Sequence, residues 1–172
     1  MNKVIVKESD IVSAVQEGMD AFLKVFTDAI KASVGGELTA ETMAELNAGQ
    51  LTLLAYETLR DEVMDGGFIQ LIYNGYGGFI FMNPFARVVK SWGMRDLAKL
   101  IYNAKPLYLK YKDEIQKECT DEEFMMMFEK YPEFDDFDDE FVENEEEWTS
   151  LMAQYVDDNL SDFAEIEKNT DE

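Results

Sequence analysis

The sequence predicts an all-α protein: a compact multi-helix single domain with an acidic helical segment towards its C-terminus. Three observations predict it. Apolar residues recur at spacings of three and four along most of the chain, and no strand shows sustained alternation, Val4-Ile5-Val6 being too short. Capping residues, glycines and prolines stand where those stripes should start and stop. Apolar residues make up 47% and aromatics 13% of the 172 residues, enough for a core despite the charge. The expected organisation is one helical domain over residues 1–165, with a near-neutral body (1–112), an acidic helical part (113–165) and a disordered tail at 166–172.

The elements follow in order. Ile11, Val15, Met19, Phe22, Phe26 and Ile30 form one apolar stripe, capped by Ser9 and ended by Gly35-Gly36. Thr39 caps a short second helix through Leu46. Asn47 caps a third, with Leu51, Leu54, Ala55, Leu59 and Val63 inward, and Gly66-Gly67 stops it. A brief helix over Phe68 to Tyr73 precedes a loop from Gly75 to Gly78. Asn83-Pro84 reads as a cap followed by proline at the first helical position, opening a helix that runs through Trp92 to Gly93. The next spans about Met94 to Asn103, with Leu97, Leu100 and Ile101 inward, before Pro106 breaks or kinks the path. Leu107, Tyr111 and Ile115 carry the stripe beyond it. Thr120 and Glu123 make a capping box ahead of Phe124, Met127, Phe128 and Tyr131.

The charge is unevenly placed. Of a net −22, residues 1–112 contribute almost nothing, with 13 acidic and 12 basic side chains, whereas residues 113–172 hold 24 acidic against 3 basic. A neutral helical body joined to a concentrated anionic segment predicts a surface made to meet something basic. The same sign argues against direct nucleic-acid or anionic-membrane partners for that segment. The N-terminus shows no signal-peptide pattern, the apolar region from Phe68 to Phe85 is cut by glycines and Pro84, and one cysteine, Cys119, allows no intrachain disulfide; the expected location is cytoplasmic.

Residues 133–147 carry ten carboxylates in fifteen positions. Aromatics are set among them: Phe134, Phe137 and Phe141 share one helical face, and Asp135, Asp136, Asp139, Glu140 and Glu143 share the opposite one. Trp148, Leu151, Met152 and Tyr155 continue the apolar stripe. At about 1.5 Å per residue the ten charges fall one per about 2.2 Å, against one per about 1.7 Å along duplex DNA. A folded helix here would bury its rings and display a line of charge at nearly the density of a nucleic acid. Asp135, Asp136, Asp139, Glu140, Glu143, Glu146 and Glu147 are the candidate phosphate surrogates. A solvated acidic face is the competing reading.

At residues 62–75 the chain reads Glu-Val-Met-Asp-Gly-Gly-Phe-Ile-Gln-Leu-Ile-Tyr-Asn-Gly. This resembles the acidic, all-helical bacterial family named for a DNA-mimic member, which typically shows a helix ending in Glu-Val, an Asn-Gly-Gly-Phe-like turn, a Gln, an aromatic pair, and Asn before Gly. The matching positions are Glu62, Val63, Gly66, Gly67, Phe68, Gln70, Tyr73, Asn74 and Gly75. Asp65 stands where the family often has Asn, and Leu71-Ile72 replaces the aromatic pair. Phe134 to Phe141, followed by Tyr155 and Asn159, resembles the family's later block, so the likeness spans roughly residues 40 to 160. It implies an all-helical fold and, in at least one member, imitation of DNA. Physically the motif reads as structural: glycines for positive φ, Phe68 as an anchor, and Gln70 and Asn74 on one face, placed to bond loop backbone.

Other chemistry is thinly supported. With no histidine, the commonest general base, nucleophile partner and zinc ligand are missing. Cys119 alone makes no structural zinc site. Asp136, Asp138, Glu140, Asn144 and Glu147 match the spacing of a calcium loop, but Phe141 stands where that loop needs Gly. The expected function is a non-enzymatic interaction protein without cofactor or metal, whose acidic face occupies the basic surface of a DNA-binding protein or transcription factor. Two alternatives stay open: a small-ligand protein or enzyme using the Gly66–Gly78 region, or an immunity or antitoxin-type protein neutralising a basic toxin. Tyr76, Phe79 and Phe81 form a candidate aromatic contact for a homodimer.

Overall fold

The structure, a computed structural model, describes residues 3–169. It is all-α apart from two three-residue strands. In order it contains β1 (Ile5–Lys7), α1 (Glu8–Glu17), α2 (Met19–Ser33), α3 (Ala40–Met43), α4 (Ala48–Tyr73), α5 (Gly77–Phe81), α6 (Phe85–Ser91), α7 (Arg95–Ile115), α8 (Asp121–Lys130), a 3₁₀ turn at Pro132–Phe134, α9 (Asp135–Asp158), α10 (Leu160–Phe163) and β2 (Glu165–Glu167). Among the described residues no helix is long and apolar enough to cross a membrane.

Two compact units emerge. One takes in the chain up to Leu54 and from Glu147 on; the other is Ala55–Glu146. In the first unit β1 and β2 pair in parallel, Ile5 with Glu165, Val6 with Ile166 and Lys7 with Glu167. Part of the segment expected as a tail is therefore strand; its residues 170–172 lie outside the described residues. Phe22, Phe26, Ile30, Trp148, Met152 and Phe163 are buried here. Asn47 caps α4 as anticipated, its Oδ1 accepting from Gln50 N–H at 2.8 Å while Gln50 Oε1 accepts from Asn47 N–H at 3.0 Å.

The long stripe from Ile11 to Ile30 does not lie on one helix. Gly18, at φ 133 and ψ 176, separates α1 from α2. The buried face differs on the two sides of that break: before it Ala14 is buried and Val15 is more than half exposed, and after it Met19 is more than half exposed while Phe22, Phe26 and Ile30 are buried. Lys7 rather than Ser9 occupies the N-cap of α1, with no side-chain cap.

In the second unit, α4 runs on past Gly66-Gly67 but with non-helical backbone at both, so the expected stop is a kink. The expected loop at Gly75 to Gly78 is shorter than read, because α5 begins at Gly77. Asn83 Oδ1 accepts from Phe85 N–H at 2.9 Å and starts α6. Thr120 and Glu123 form the expected capping box on α8. Pro106 is the clearest departure. It neither ends nor divides α7, which is continuous from Arg95 to Ile115. Proline removes one helical hydrogen bond, but Pro106 and Tyr102, whose carbonyl loses its donor, both lie on the exposed side, where water can serve instead. Leu97, Leu100 and Ile101 are buried before it, Tyr108 and Ile115 after it.

Because Pro106 is exposed and water offsets only part of the cost of a proline inside a helix, Pro106→Ala is expected to stabilise the protein by about 1–3 kcal/mol. Thermal unfolding would show this as a raised midpoint; an unchanged or lowered midpoint would mean that the ring relieves strain in α7.

Candidate functional site

The acidic residues are held by their own helix. Phe134 and Phe141 are fully buried, Trp148 nearly so, and Phe137 is half-buried. Counting about 100° per residue, Phe137, Phe141 and Trp148 occupy one side of α9, and Phe134 ends the turn just before it. Asp135, Asp136, Asp139, Glu140, Glu143, Glu146 and Glu147 are all exposed. On the same wheel they fall within an arc of about 140° on the other side. Six belong to the Ala55–Glu146 unit, and Glu147 follows on the same helix. The calcium-loop spacing is a by-product of acidity, since all its positions lie within continuous α9.

Two of the ten carboxylates turn inward. Glu145 is 7% exposed and accepts from Arg60 Nε of α4 at 2.5 Å. Asp138 reaches the Gly66-Gly67 kink, where its Oδ1 accepts from Phe68 N–H at 2.8 Å. That amide opens the second half of α4, so Asp138 caps a helix from 70 residues away in sequence. Gly67 has φ +73, and a Cβ there would lie 2.4 Å from Asp138 Oδ2. Burial pushes the Asp138 carboxyl up to about 6; the Phe68 N–H bond opposes this, and Asp135 and Asp139 add to it. The eight carboxylates left facing outward fall one per about 2.8 Å, between the duplex figure of about 1.7 Å and about 3.4 Å for one strand.

Just before α9, Glu133 is exposed and accepts from Tyr111 Oη at 2.6 Å, which holds its carboxyl below the usual range. Tyr131 donates to Glu114 Oε2 at 2.7 Å, and its hydroxyl is raised to about 12, first by burial and then by that carboxylate. These bonds fasten the approach to α9 onto α7.

The motif residues come together, though in another way than read. Gln70 Nε2 and Asn74 Nδ2 both donate to Glu62 Oε2, at 2.6 and 3.0 Å, rather than to loop backbone. Gln70 Nε2 also lies 3.0 Å from Asp65 Oδ2. Phe68 is fully buried, Tyr73 packs on Phe124 with ring centroids 4.9 Å apart, and Gly75 takes φ 87 after the helix end. The polar groups of this region are thus directed at each other. Of the three aromatics proposed as a contact patch, Phe81 is buried and stacked on Tyr108 at 4.9 Å, Phe79 is half-buried, and Tyr76 is 40% exposed. Sequence reasoning missed Asp138 and Arg60 as supports of α9. The wheel did carry a signal: Asp138 and Glu145 fall on the ring side, three and four residues from Phe141.

The family model described as DMP19-like protein matches residues 44–159, which takes in both the Gly-Gly-Phe kink and α9. The chain belongs to the DMP19-like family. A protein of Neisseria meningitidis serogroup B (strain ATCC BAA-335 / MC58), called DNA mimic protein DMP19, is 32% identical over 127 residues, covering 73% of this chain and 77% of the relative. The matched span agrees with the extent inferred from the motifs.

Two measurements test the support of α9. The folded value of Asp138 lies above that of the unfolded chain, so the folded state holds this proton more tightly between about pH 4 and 6, and stability is lost as pH rises through that window. Asp138→Asn keeps an acceptor for Phe68 N–H without the buried charge. It is expected to stabilise by about 1 kcal/mol at pH 7 and by nothing near pH 4 in paired denaturation curves. Gly67→Ala adds a side chain at positive φ against Asp138, so it is expected to lower stability by about 2 kcal/mol or more; a wild-type midpoint for this variant would remove the kink from the account.

Proposed function

We propose that this chain is a non-enzymatic DNA mimic, in which the exposed arc of α9 occupies the nucleic-acid-binding face of a basic partner, a DNA-binding protein or transcription factor. Asp135, Asp136, Asp139, Glu140, Glu143, Glu146 and Glu147 stand in for phosphates. The observation that carries this reading is their common exposure on one side of a helix whose other side is buried. A disordered acidic tail would offer charge without position; a fixed helix offers both. The name of the Neisseria relative supports the same role.

The electrostatics suit capture by steering. A dense anionic arc raises the rate of encounter with a cationic face, and the interaction weakens as salt screens it. The Glu62, Gln70 and Asn74 network acts as structure here, shaping the kink that Asp138 caps.

The test uses the full chain as bait for its partner, with duplex DNA as competitor. Wild type is expected to retain a basic DNA-binding protein that duplex DNA releases. Asp136→Lys, Asp139→Lys and Glu143→Lys together are expected to weaken capture at least a hundredfold while leaving the fold intact, as circular dichroism would show, since all three side chains are exposed. Undiminished capture by a folded triple variant would sink the assignment.

A further inference from the structure

The body of the chain carries a surface of the opposite sign. Between Arg87 and Lys112 there are seven basic residues and one acidic residue, Asp96. Lys90, Arg95, Lys99, Tyr102 and Asn103 line one shallow groove of about 580 Å³ on α6 and α7. Arg87, Lys105 and the same Tyr102 line a second groove beside it. Arg87, Lys90, Arg95 and Lys99 are exposed, and among the described residues none of them has a carboxylate within ion-pair distance. Other basic side chains do: Lys3 has Glu165, Lys24 has Asp28 and Arg60 has Glu145. In a chain where acidic residues outnumber basic ones 37 to 15, this is a cationic face left open. Tyr102 sits among these cations, 48% exposed and with no ring stacked on it among the described residues.

We propose that this face is a second binding surface, and that it takes a short single strand of nucleic acid, phosphates on Lys90, Arg95 and Lys99 and a base on the ring of Tyr102. Guanidinium and ammonium groups are the common phosphate ligands, and an open aromatic ring among them offers a stacking platform that any base can use. The groove is shallow and the ring flat, which suits an unpaired base. A duplex keeps its bases stacked inside, so it would leave Tyr102 without a role. From Arg95 to Lys105 the face runs about 15 Å along α7, room for a short run of an extended single strand. The chain's net negative charge opposes binding at long range, but at about 0.1 M salt that repulsion is screened beyond about 10 Å and the local cations dominate. The exclusion of nucleic acid drawn from the acidic third does not extend to this face, which shares no residue with the carboxylate arc, so either surface can fail without the other.

Fluorescence anisotropy of a labelled eight-nucleotide oligothymidylate, with the full chain at about 0.1 M salt, tests the proposal. Saturable binding is expected, weakened at least tenfold by Lys90→Ala, Arg95→Ala and Lys99→Ala together, and several-fold by Tyr102→Ala. With three phosphate contacts on a single strand, the logarithm of affinity is expected to fall with the logarithm of salt at a slope of about −2. Asp136→Lys with Asp139→Lys, on the other surface, should not weaken it. No binding by wild type, or binding untouched by the triple alanine variant, would overturn the proposal. So would equal affinity for a duplex of the same length, or inorganic polyphosphate binding as tightly as the oligonucleotide with Tyr102→Ala making no difference; that pair of results would leave a phosphate site with no role for a base.

Discussion

The burial of rings on one side of α9 sets everything that the other side can do. Carboxylates three and four residues apart repel along a helix by a few tenths of a kcal/mol each. The seven exposed ones make seven such pairs, about 2 kcal/mol in all. Against this, a fully buried phenylalanine contributes about 1.5–3 kcal/mol, and α9 and the turn before it bury Phe134 and Phe141 completely, with Trp148 further on. The rings outweigh the repulsion, and the charges stay where the helix puts them. An acidic stretch without those rings would relieve its repulsion by unfolding.

The two inward carboxylates give this helix its place in the Ala55–Glu146 unit. Glu145 meets Arg60, and Asp138 meets the amide of Phe68 at the Gly66-Gly67 kink. Both partners lie on α4. A nearly buried ion pair of this kind contributes little by existing, but breaking it leaves a charge without compensation, so it fixes position more than it adds stability. The Gly-Gly-Phe motif and the acidic block, 70 residues apart, are therefore two halves of one contact. In this chain the kink exposes an amide and a bare Cα, and the acidic helix supplies the carboxylate that fills the space. Gln70 and Asn74, both bound to Glu62, brace the kink from its own side.

Much of this was legible in the sequence because it is local. The Thr120–Glu123 capping box, the Asn47 cap and the alternation of rings and carboxylates around α9 are decided within a few residues, and all appear as read. What escaped was decided at a distance. Three-residue strands carry no period, and β1 finds β2 only after the whole chain has intervened. The stripe across Gly18 kept its spacing while the backbone did not, because an apolar pattern is blind to one residue with φ 133. Pro106 reads as a break or a kink, but on the exposed side of a long helix water can serve the freed carbonyl, and α7 runs on. Asp138 and Glu145 fall outside the surrogate set but enter the charge density, because composition does not distinguish a carboxylate facing water from one capping a neighbour.

The central claim is that the exposed carboxylates are fixed in space by the rings behind them. Native-state hydrogen exchange of the amides of residues 137–147 measures this most directly. The account predicts protection approaching that of the buried body of α7, because the acidic turns can open only when Phe141 leaves the core. Exchange at the rate of an unstructured chain, with α7 still protected, would contradict it and leave the carboxylates as a loose anionic segment with no shape to present.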